Sequence, residues 1–345
     1  MRKLLYIASA VALVACGSSK ETANTDNDVT TDQAAKYAKT ITAKDLGKHL
    51  FIYASDEFEG RNTGEPGQKK AVKYLKDFYV SQGIASPIGS NDYFQEVPSE
   101  YLSNNRRGMT LKDSENVVAF IKGTEKPDEI LVISAHLDHE GVKNGEIYNG
   151  ADDDGSGTVA ILEIAEAFKQ AADAGKGPKR SILFLHVTGE EKGLLGSKYY
   201  TENPIFPLAN TVADLNIDMI GRVDDLHKGN PNYVYLIGSD KLSTELHNIS
   251  EAVNKKYTNI DLDYKYNDDN DPNRFYYRSD HYNFAKHNIP IIFYFNGTHA
   301  DYHRPTDTPD KINYEMLENR ARLVFHTAWE VANRENRVVV DKAAE

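Results

Sequence analysis

Short apolar runs alternate with stretches of helical periodicity from about residue 45 onward. The runs are nearly continuous in hydrophobic residues and rich in β-branched and aromatic types, which predicts buried strands. We predict strands at 115–123, 129–135, 181–187, 212–218, 233–238, 261–266 and 289–295. Apolar residues at helical spacing predict helices at 68–80, 157–170, 194–201, 243–257, 280–287 and 314–333.

This alternation predicts an α/β fold. Strands that are apolar on both faces need helices packed against both faces. We therefore expect a three-layer α/β/α sandwich around a central mixed, mostly parallel sheet. No linker-like break in composition follows residue 45, so residues 45–345 are predicted to form one domain.

The first residues predict export from the cytoplasm. Arg2 and Lys3 precede an apolar run at 4–15 that is too short to span a bilayer and is typical of a secretory signal. Cys16 is the only cysteine, which excludes an internal disulfide, and "LVACG" resembles a bacterial lipobox. We expect cleavage after residue 15 and lipidation of Cys16; simple secretion is the alternative.

Residues 16–44 are rich in polar and small residues and are predicted to be a flexible tether. The folded domain is thus expected to be extracytoplasmic, lipid-anchored to the membrane of a bacterial cell envelope. The sequence does not decide the leaflet or the oligomeric state.

Composition narrows the function classes. A chain of 345 residues with 40% hydrophobic and 27% charged residues is typical of a globular protein. Its net charge of −12 argues against a nucleic-acid partner, which requires a basic surface. A peptide or metabolite substrate stays compatible with this charge.

Candidate chemistry follows the predicted strands. His136 comes directly after one strand, Glu190 and Glu191 after the next, and Asp218 ends a third. The last strand leads into a loop that contains His299, Asp301 and His303. Because open α/β sheets bind ligands at the carboxyl ends of their strands, these side chains are expected to meet.

The decapeptide "NGADDDGSGT" (149–158) places three acids ahead of a predicted helix. An exposed turn is one interpretation, since Asp, Ser and Gly favour turns and N-caps. A bound cation is the other, and the side chains at the strand ends favour it. Spacing alone does not decide which of the three acids would face the cation.

Imidazole and carboxylate without thiolate indicate zinc or another divalent transition metal. The sequence has no HExxH motif, so it lacks the single-zinc endopeptidase arrangement. Ligands spread over separate strand ends suit a two-metal site, in which one carboxylate bridges both ions.

Five motifs occur in the order found in a known family. They are "SAHLDH", "NGADDDGSGT", "TGEEKGLLGS", "NIDMIG" and "YHRPTDT". Over about 45–335 the chain resembles the co-catalytic two-zinc aminopeptidases, which include secreted bacterial leucyl aminopeptidases, aminopeptidase Y and the catalytic domain of glutamate carboxypeptidase. The resemblance implies a zinc exopeptidase-like fold and two zinc ions per chain.

The resemblance also assigns roles to residues. It implies a metal ligand set of His136, Asp153, Glu191, Asp218 and His303, with Asp153 bridging both ions. Glu190 resembles the general base that activates the bridging water, whose pKa zinc lowers to around 7. Asp138 would orient His136.

The function that the resemblance implies is removal of N-terminal residues from peptides. Glutaminyl cyclase or carboxypeptidase activity on the same scaffold is the alternative, because metal ligands do not reveal which peptide terminus binds. A cyclase would use a single zinc. A receptor-like domain without catalysis is disfavoured, because all six expected positions carry suitable residues.

Other polar residues are assigned mainly non-catalytic roles. His139 is expected to face solvent or the pocket wall, and His299 is not expected to bind metal. We expect Asp280 and His281 to start a helix at the pocket, and His186 to be a hydrogen-bonded core residue. The segment 267–274 is expected to be a solvated acidic loop rather than a calcium site, and Tyr302 either packs or lines the specificity pocket.

Overall fold

A central mixed sheet organises the chain in the computed structural model, which describes residues 33–105 and 107–342. The strands are β1 (Phe94–Val97), β2 (Ser114–Ile121), β3 (Lys126–His136), β4 (Gly141–Lys143), β5 (Glu146–Tyr148), β6 (Arg180–Val187), β7 (Thr211–Ile217), β8 (Tyr233–Ile237), β9 (Asp261–Asp263) and β10 (Ile291–Phe295). Within the described residues, eight of these strands form one sheet in the order β1-β2-β6-β3-β7-β10-β8-β9, and β4 and β5 form a separate hairpin.

Helices cover both faces of this sheet. They are α1 (Ala43–Tyr53), α2 (Pro66–Ser81), α3 (Ser99–Ser103), α4 (Gly157–Asp173), α5 (Leu195–Glu202), α6 (Thr244–Val253), α7 (His281–Ala285) and α8 (Tyr314–Asn333). Strand β6 shows why both faces need cover: Phe184 packs in one apolar cluster with α1, α2, α4 and α8, whereas Leu183 and Leu185 pack on the opposite face with α5 and α7. The predicted three-layer α/β/α fold is confirmed.

The strand directions place the candidate residues at one edge. Strands β6, β3, β7 and β10 are adjacent and parallel, so their carboxyl ends lie side by side. The pairs β1–β2, β2–β6 and β10–β8 are antiparallel, and the pair β8–β9 is parallel. The sheet is thus mixed, with a parallel centre that carries the loops of interest.

The predicted boundary between tether and domain was wrong. Residues 33–38 are helical, and Ala34, Tyr37 and Ile41 are buried in the main apolar cluster beside α8. Their spacing of three and four residues is that of an amphipathic helix, which the polar composition of the surrounding segment hid. The predicted signal at 1–15, Cys16 and the tether up to residue 32 lie outside the described residues.

Most predicted elements are confirmed within a few residues. Five elements were not predicted, namely α1, α3, β1, β4 and β5. The predicted helix at 243–257 ends at Val253, followed by a separate turn at Asn254–Thr258, and the predicted strand at 261–266 ends at Asp263. In the described part of the chain, no helix combines the length and the hydropathy needed to cross a membrane.

A buried glutamate links three helices on the larger helical face. Glu163 of α4 is 3% exposed, and its Oε1 lies 3.5 Å from Nε2 of His49 in α1. Nδ1 of His49 lies 2.7 Å from the hydroxyl of Tyr74 in α2. Burial, reinforced by the charges of nearby acids, raises the pKa of Glu163 to about 8, and burial lowers the pKa of His49. Both groups are therefore neutral at pH 7.

This glutamate makes stability depend on pH. The folded state holds a proton on Glu163 up to about pH 8, whereas an unfolded chain releases it near its ordinary pKa of about 4.3. Stability should therefore fall as the pH rises between these two values, by a few kcal/mol at roughly 1.4 kcal/mol per pKa unit. Glu163→Gln should remove most of this fall, as measured by denaturant unfolding at pH 5 to 9.

The exposed Glu330 of α8 provides a matched control, because Glu330→Gln makes the same chemical change outside the core. Comparing each variant with the wild type at every pH cancels any pH dependence that the proteins share. Equal pH dependence in wild-type and Glu163→Gln protein would show that Glu163 is ionised in the folded state.

Candidate metal centre

The residues implied as metal ligands come together at the predicted edge of the sheet. His136 is the last residue of β3, Asp218 follows β7, and Glu191 lies on the loop after β6. His303 lies on the loop after β10, and Asp153 lies in the irregular turn Ala151–Ser156 that precedes α4. Four parallel strands and one helix start therefore supply the five side chains.

One side of the cluster contains His136, Asp153 and Asp218. Nε2 of His136 lies 3.1 Å from Oδ1 of Asp153 and 3.6 Å from Oδ1 of Asp218. The other carboxylate oxygen of Asp218 accepts a 2.7 Å hydrogen bond from the Ser279 hydroxyl, which fixes its orientation. One ligand atom from each of the three residues lies within 4.8 Å of the other two, a spacing suited to a single cation.

The other side contains Asp153 again, with His303 and Glu191. Nε2 of His303 lies 3.0 Å from Oδ2 of Asp153 and 3.4 Å from Oε2 of Glu191. The two oxygens of Asp153 therefore face different imidazoles. This is the arrangement of a carboxylate that bridges two ions.

The neighbouring acids are held by other groups. Oδ1 of Asp154 accepts hydrogen bonds from the amides of Gly157 and Met219, at 2.9 and 3.1 Å. Oδ1 of Asp152 accepts one from the amide of Gly221 at 2.6 Å, and its Oδ2 accepts one from Asn296 at 3.0 Å. Of the three acids, Asp153 is thus the one whose carboxylate is directed at both imidazoles, a distinction that spacing alone could not make.

A glycine permits the turn that aims Asp153. Gly150 has φ +55°, and a Cβ there would lie 2.2 Å from the carbonyl oxygen of Asp153 and 2.5 Å from the His139 ring. Residues with a side chain are disfavoured at this φ and would also clash. The glycine ahead of the acidic run is therefore required by the site's shape.

The donor set fits divalent cations. Buried atoms of three of these residues have no hydrogen-bond partner among the described residues: Nε2 of His136, Oδ2 of Asp153 and Oε1 of Glu191. Leaving buried polar atoms unpartnered costs free energy unless another ligand satisfies them. Lone pairs that converge from imidazole and carboxylate are what zinc requires.

Buried backbone contacts lock the loops around the centre. The amide of Ile220 donates a hydrogen bond to the hydroxyl of Ser156 at 3.0 Å. The amides on either side of it, those of Met219 and Gly221, donate to Asp154 and Asp152. The loop after β7 is thus joined to the acidic turn by successive amides. Arg61, fully buried, donates to the carbonyls of Leu137 and Gly150 at 3.1 and 2.9 Å, which ties the loop after β3 to the same turn.

Asp138 contacts His136 differently from the expectation. Nδ1 of His136 lies 3.0 Å from the backbone carbonyl oxygen of Asp138 and 4.0 Å from its carboxylate. The carboxylate instead accepts hydrogen bonds from the Thr63 hydroxyl at 2.7 Å and from the amide of Glu190 at 3.1 Å. Asp138 thus orients His136 through its main chain and positions the start of the Glu190 segment through its side chain.

Glu190 lies beside the cluster, where acids are crowded. Burial raises its pKa well above the ordinary value, and the charges of Glu191 and Asp218 add to this, while His136 opposes it. Burial lowers the pKa of His303, but contact with Asp153 and the charge of Glu191 outweigh it and raise the pKa to about 9. These surroundings therefore favour the protonated form of Glu190 and the charged form of His303.

His139 corrects the expectation that it could face solvent. It is 0% exposed, and its Nδ1 lies 2.8 Å from Oε1 of Glu191 and 3.9 Å from Oδ2 of Asp153. His139, Asp153 and Glu191 also meet the spacing of a cation site. The repeated histidine in "HLDH" was the available signal, but sequence does not show that the chain turns inward after β3.

The other histidines lie outside the two clusters. Nε2 of His299 lies 3.2 Å from Asp152, and Nε2 of His186 lies 2.7 Å from the hydroxyl of Tyr79 in the core. His281 faces the carbonyl of Tyr276. Asp280, buried, contacts the Ser197 hydroxyl, one of the contacts that join α7 to α5. None of these residues belongs to the groups of metal-ligating spacing in the described chain.

The acidic segment at 267–274 closes on itself. Asp268 accepts from the amide of Asn270 at 2.8 Å, Asp271 accepts from the amides of Asn273 and Phe275 at 3.0 Å, and Asp269 pairs with Lys241. These contacts match the expected solvated loop, because its carboxylates accept hydrogen bonds from backbone amides or pair with a lysine of the same chain.

An aromatic hollow opens on the centre. It has a volume of about 30 Å³. Its walls combine the candidate ligands Asp153, Asp218 and His303 with Arg278 and with apolar or aromatic side chains, which are Met219, Phe275, Phe293, Phe295 and Tyr302. Tyr302 stacks on His303 with ring centroids 3.9 Å apart. Tyr302 therefore lines the hollow as well as packing beside a candidate ligand.

Comparison with known proteins shows what the chain is similar to. The model of peptidase family M28 matches residues 116–328. The leupeptin-inactivating enzyme 1 of Streptomyces exfoliatus is 26% identical over 303 residues, which are 81% of this chain and 59% of that enzyme. The chain thus spans less than two thirds of that curated relative.

Solved structures share the fold at low sequence identity. The LapA aminopeptidase of Legionella pneumophila superposes with a TM-score of 0.66 at 22% identity, covering 89% of this chain and 76% of that one. The glutaminyl cyclase of Porphyromonas gingivalis superposes with a TM-score of 0.64 at 19% identity, covering 83% and 97%. Proteins with different reactions therefore share this scaffold.

Proposed function

The chain belongs to peptidase family M28, and on this premise we propose that it is a zinc-dependent aminopeptidase that hydrolyses the first peptide bond of peptides. The observation that carries the proposal is the position of Asp153, whose two carboxylate oxygens face different imidazoles at 3.1 and 3.0 Å. A single-ion site has no need for this arrangement.

The residues around Asp153 would hold two zinc ions. His136 and Asp218 would bind one ion, His303 and Glu191 the other, and Asp153 both; His139 is a further donor on the second side. When bound, zinc supplies Lewis acidity toward the scissile carbonyl and makes water a stronger nucleophile at neutral pH.

Glu190 would move the proton. Its amide is held by the Asp138 carboxylate at 3.1 Å, so the loop after β6 presents Glu190 and Glu191 from a fixed turn. One glutamate faces the imidazoles, and the other is free to take a proton from the attacking water and deliver it to the departing amine.

The aromatic hollow would form a wall against the side chain of the residue that is released. Phe275, Phe293 and Phe295 form an apolar wall beside the candidate ligands. An apolar side chain placed there gains about 25 cal/mol for each Å² removed from water. We therefore propose a preference for apolar N-terminal residues.

The proposal is tested by the polarity of hydrolysis. Zinc-loaded protein should release leucine from Leu-Gly-Gly and from leucine amide, but not from N-acetyl-Leu-Gly-Gly, because blocking removes the free amino terminus. Amino-acid analysis of the products separates the two termini. Hydrolysis of the N-blocked peptide from its carboxyl end would favour a carboxypeptidase instead.

A cyclase is the second candidate because a cyclase shares the scaffold. Incubation with an N-terminal glutamine peptide distinguishes the reactions by mass, since cyclisation loses ammonia and hydrolysis gains water. Pyroglutamate formation without release of glutamine would replace the aminopeptidase proposal.

We further propose that the protein is exported and anchored outside the cytoplasm through a lipid on Cys16. The proposal rests on the lipobox-like segment of the sequence. Labelling of cells with a palmitate analogue should mark the wild-type protein but not the Cys16→Ala variant. Equal labelling of both would reject the anchor.

A further inference from the structure

A cationic cavity adjoins the candidate centre on the Glu190 side. It has a volume of about 520 Å³, and five basic residues line it: Arg107, Lys192, Lys198, Arg278 and Lys286. Among the described residues of its wall, Glu190 is the only acidic one. Such segregation is notable in a chain whose net charge is −12, because random placement would favour acids.

Three of these cations make no direct ion pair, although the charge of Lys192 acts on the nearby Glu140. Lys198 pairs with Glu202 at 2.7 Å, but Arg107, Lys192 and Arg278 form no ion pair with any carboxylate that the structure describes. Lys192 is only 9% exposed, so most of its side chain is enclosed. An anion bound in the cavity would be attracted by all three charges.

The three cations are fixed to the loops that carry the candidate ligands. Nη1 of Arg107 donates to the backbone carbonyl of Glu191 at 2.7 Å, and Lys192 is the next residue of that loop. Arg278 donates to the hydroxyl of Tyr302 at 3.4 Å and lines both the cavity and the aromatic hollow. The cavity thus continues from the centre, with Arg278 at the junction.

The charge of the cavity decides which part of a peptide enters it. A protonated amino terminus is repelled by five cations, whereas a carboxylate is attracted, and low-dielectric walls strengthen both effects. A peptide would therefore place its portion beyond the scissile bond in the cavity and its free amino terminus outside the cavity.

We propose that the cavity selects peptides that carry a carboxylate in the portion beyond the scissile bond. This proposal rests on the proposed function and adds a substrate class, acidic or very short peptides. The carboxylate has two sources, an Asp or Glu side chain and the carboxyl terminus of a dipeptide. Arg107, Lys192 and Arg278 are the specificity-determining residues.

Matched substrates separate charge from shape. Leu-Glu-amide and Leu-Gln-amide are nearly isosteric and differ by one side-chain charge, while Leu-Gln and Leu-Gln-amide differ by the terminal carboxylate. For at least one pair, kcat/KM of the zinc-loaded protein should be about tenfold higher for the anionic member. This preference should shrink at high salt, because exposed charges are screened.

Substitutions in the cavity wall test whether its cations cause the preference for anionic peptides. Lys192→Gln and Arg278→Gln should each reduce the anionic preference about threefold or more, mainly through KM. Lys73→Gln, on the exposed face of α2, removes the same charge far from the cavity wall and should leave the ratio unchanged. Arg278 is exposed, so Arg278→Gln keeps the test decisive if Lys192→Gln fails to fold.

The failures of the two proposals have different signatures. Release of leucine at equal rates from both members of each pair overturns the anionic preference and leaves the aminopeptidase intact. Absence of hydrolysis overturns the aminopeptidase. In that case calorimetric binding of Leu-Glu-amide and Leu-Gln-amide to the zinc-loaded protein decides the cavity's role, because equal dissociation constants would reject it.

Discussion

Asp153→Asn is expected to reduce zinc content from two ions to one or fewer per chain and to lower kcat/KM about a thousandfold or more. The carboxylate directs one oxygen to His136 and the other to His303. An amide offers a single good ligand oxygen and no charge, so it cannot bridge two cations. Metal analysis after dialysis, together with steady-state kinetics, measures both effects.

The adjacent acid provides the control. Asp152 is also buried, but its oxygens accept hydrogen bonds from Gly221 and Asn296. Asp152→Asn should lower the free energy of unfolding by about 1–3 kcal/mol through loss of these bonds, yet keep two zinc ions. If Asp153→Asn protein still bound two ions with unchanged activity, the bridging role would be wrong.

Glu190→Gln is expected to lower kcat about a hundredfold to ten-thousandfold while zinc content stays at two per chain. The amide keeps the size of the side chain but cannot accept the proton of the attacking water. Glu190 lies outside the groups with metal-ligating spacing in the described residues, so its replacement should spare metal binding. Kinetics and metal analysis of the same preparation test this separation.

The neighbouring glutamate should behave in the opposite way. Glu191 contacts both His139 and His303, so Glu191→Gln should lower zinc content and activity together. Excess zinc should partly restore activity to Glu191→Gln but not to Glu190→Gln. Restoration of both variants by zinc would remove Glu190 from proton transfer and make it a ligand.

The fold was largely predictable because its strands are apolar on both faces. A continuous apolar run such as 181–187 indicates a strand that is covered on both faces. The helices between successive strands indicate crossover connections, which make the central strands parallel. The start of the domain was harder, since the burial of Tyr37 and Ile41 depends on contacts with the last helix. Such distant contacts leave little trace in local composition.

The candidate site was predictable in its ligand types but not in its detail. His136, Glu191 and Asp218 were predicted to meet because each lies at or after the end of a strand, and the resemblance to the known family identified Asp153. Three-dimensional contacts were needed to show that the neighbours of Asp153 bind backbone amides, and that His139 is buried beside Glu191. The cationic cavity joins residues as far apart as Arg107 and Arg278, so no sequence window displays it.

The most direct test of the two-ion centre is anomalous diffraction from zinc-soaked crystals, recorded above and below the zinc absorption edge. Two anomalous peaks are expected roughly 3.5–4 Å apart, one on each side of Asp153, with His136 and Asp218 beside the first and His303 and Glu191 beside the second. A single peak, or peaks remote from Asp153, would contradict the shared carboxylate on which the proposed hydrolysis depends.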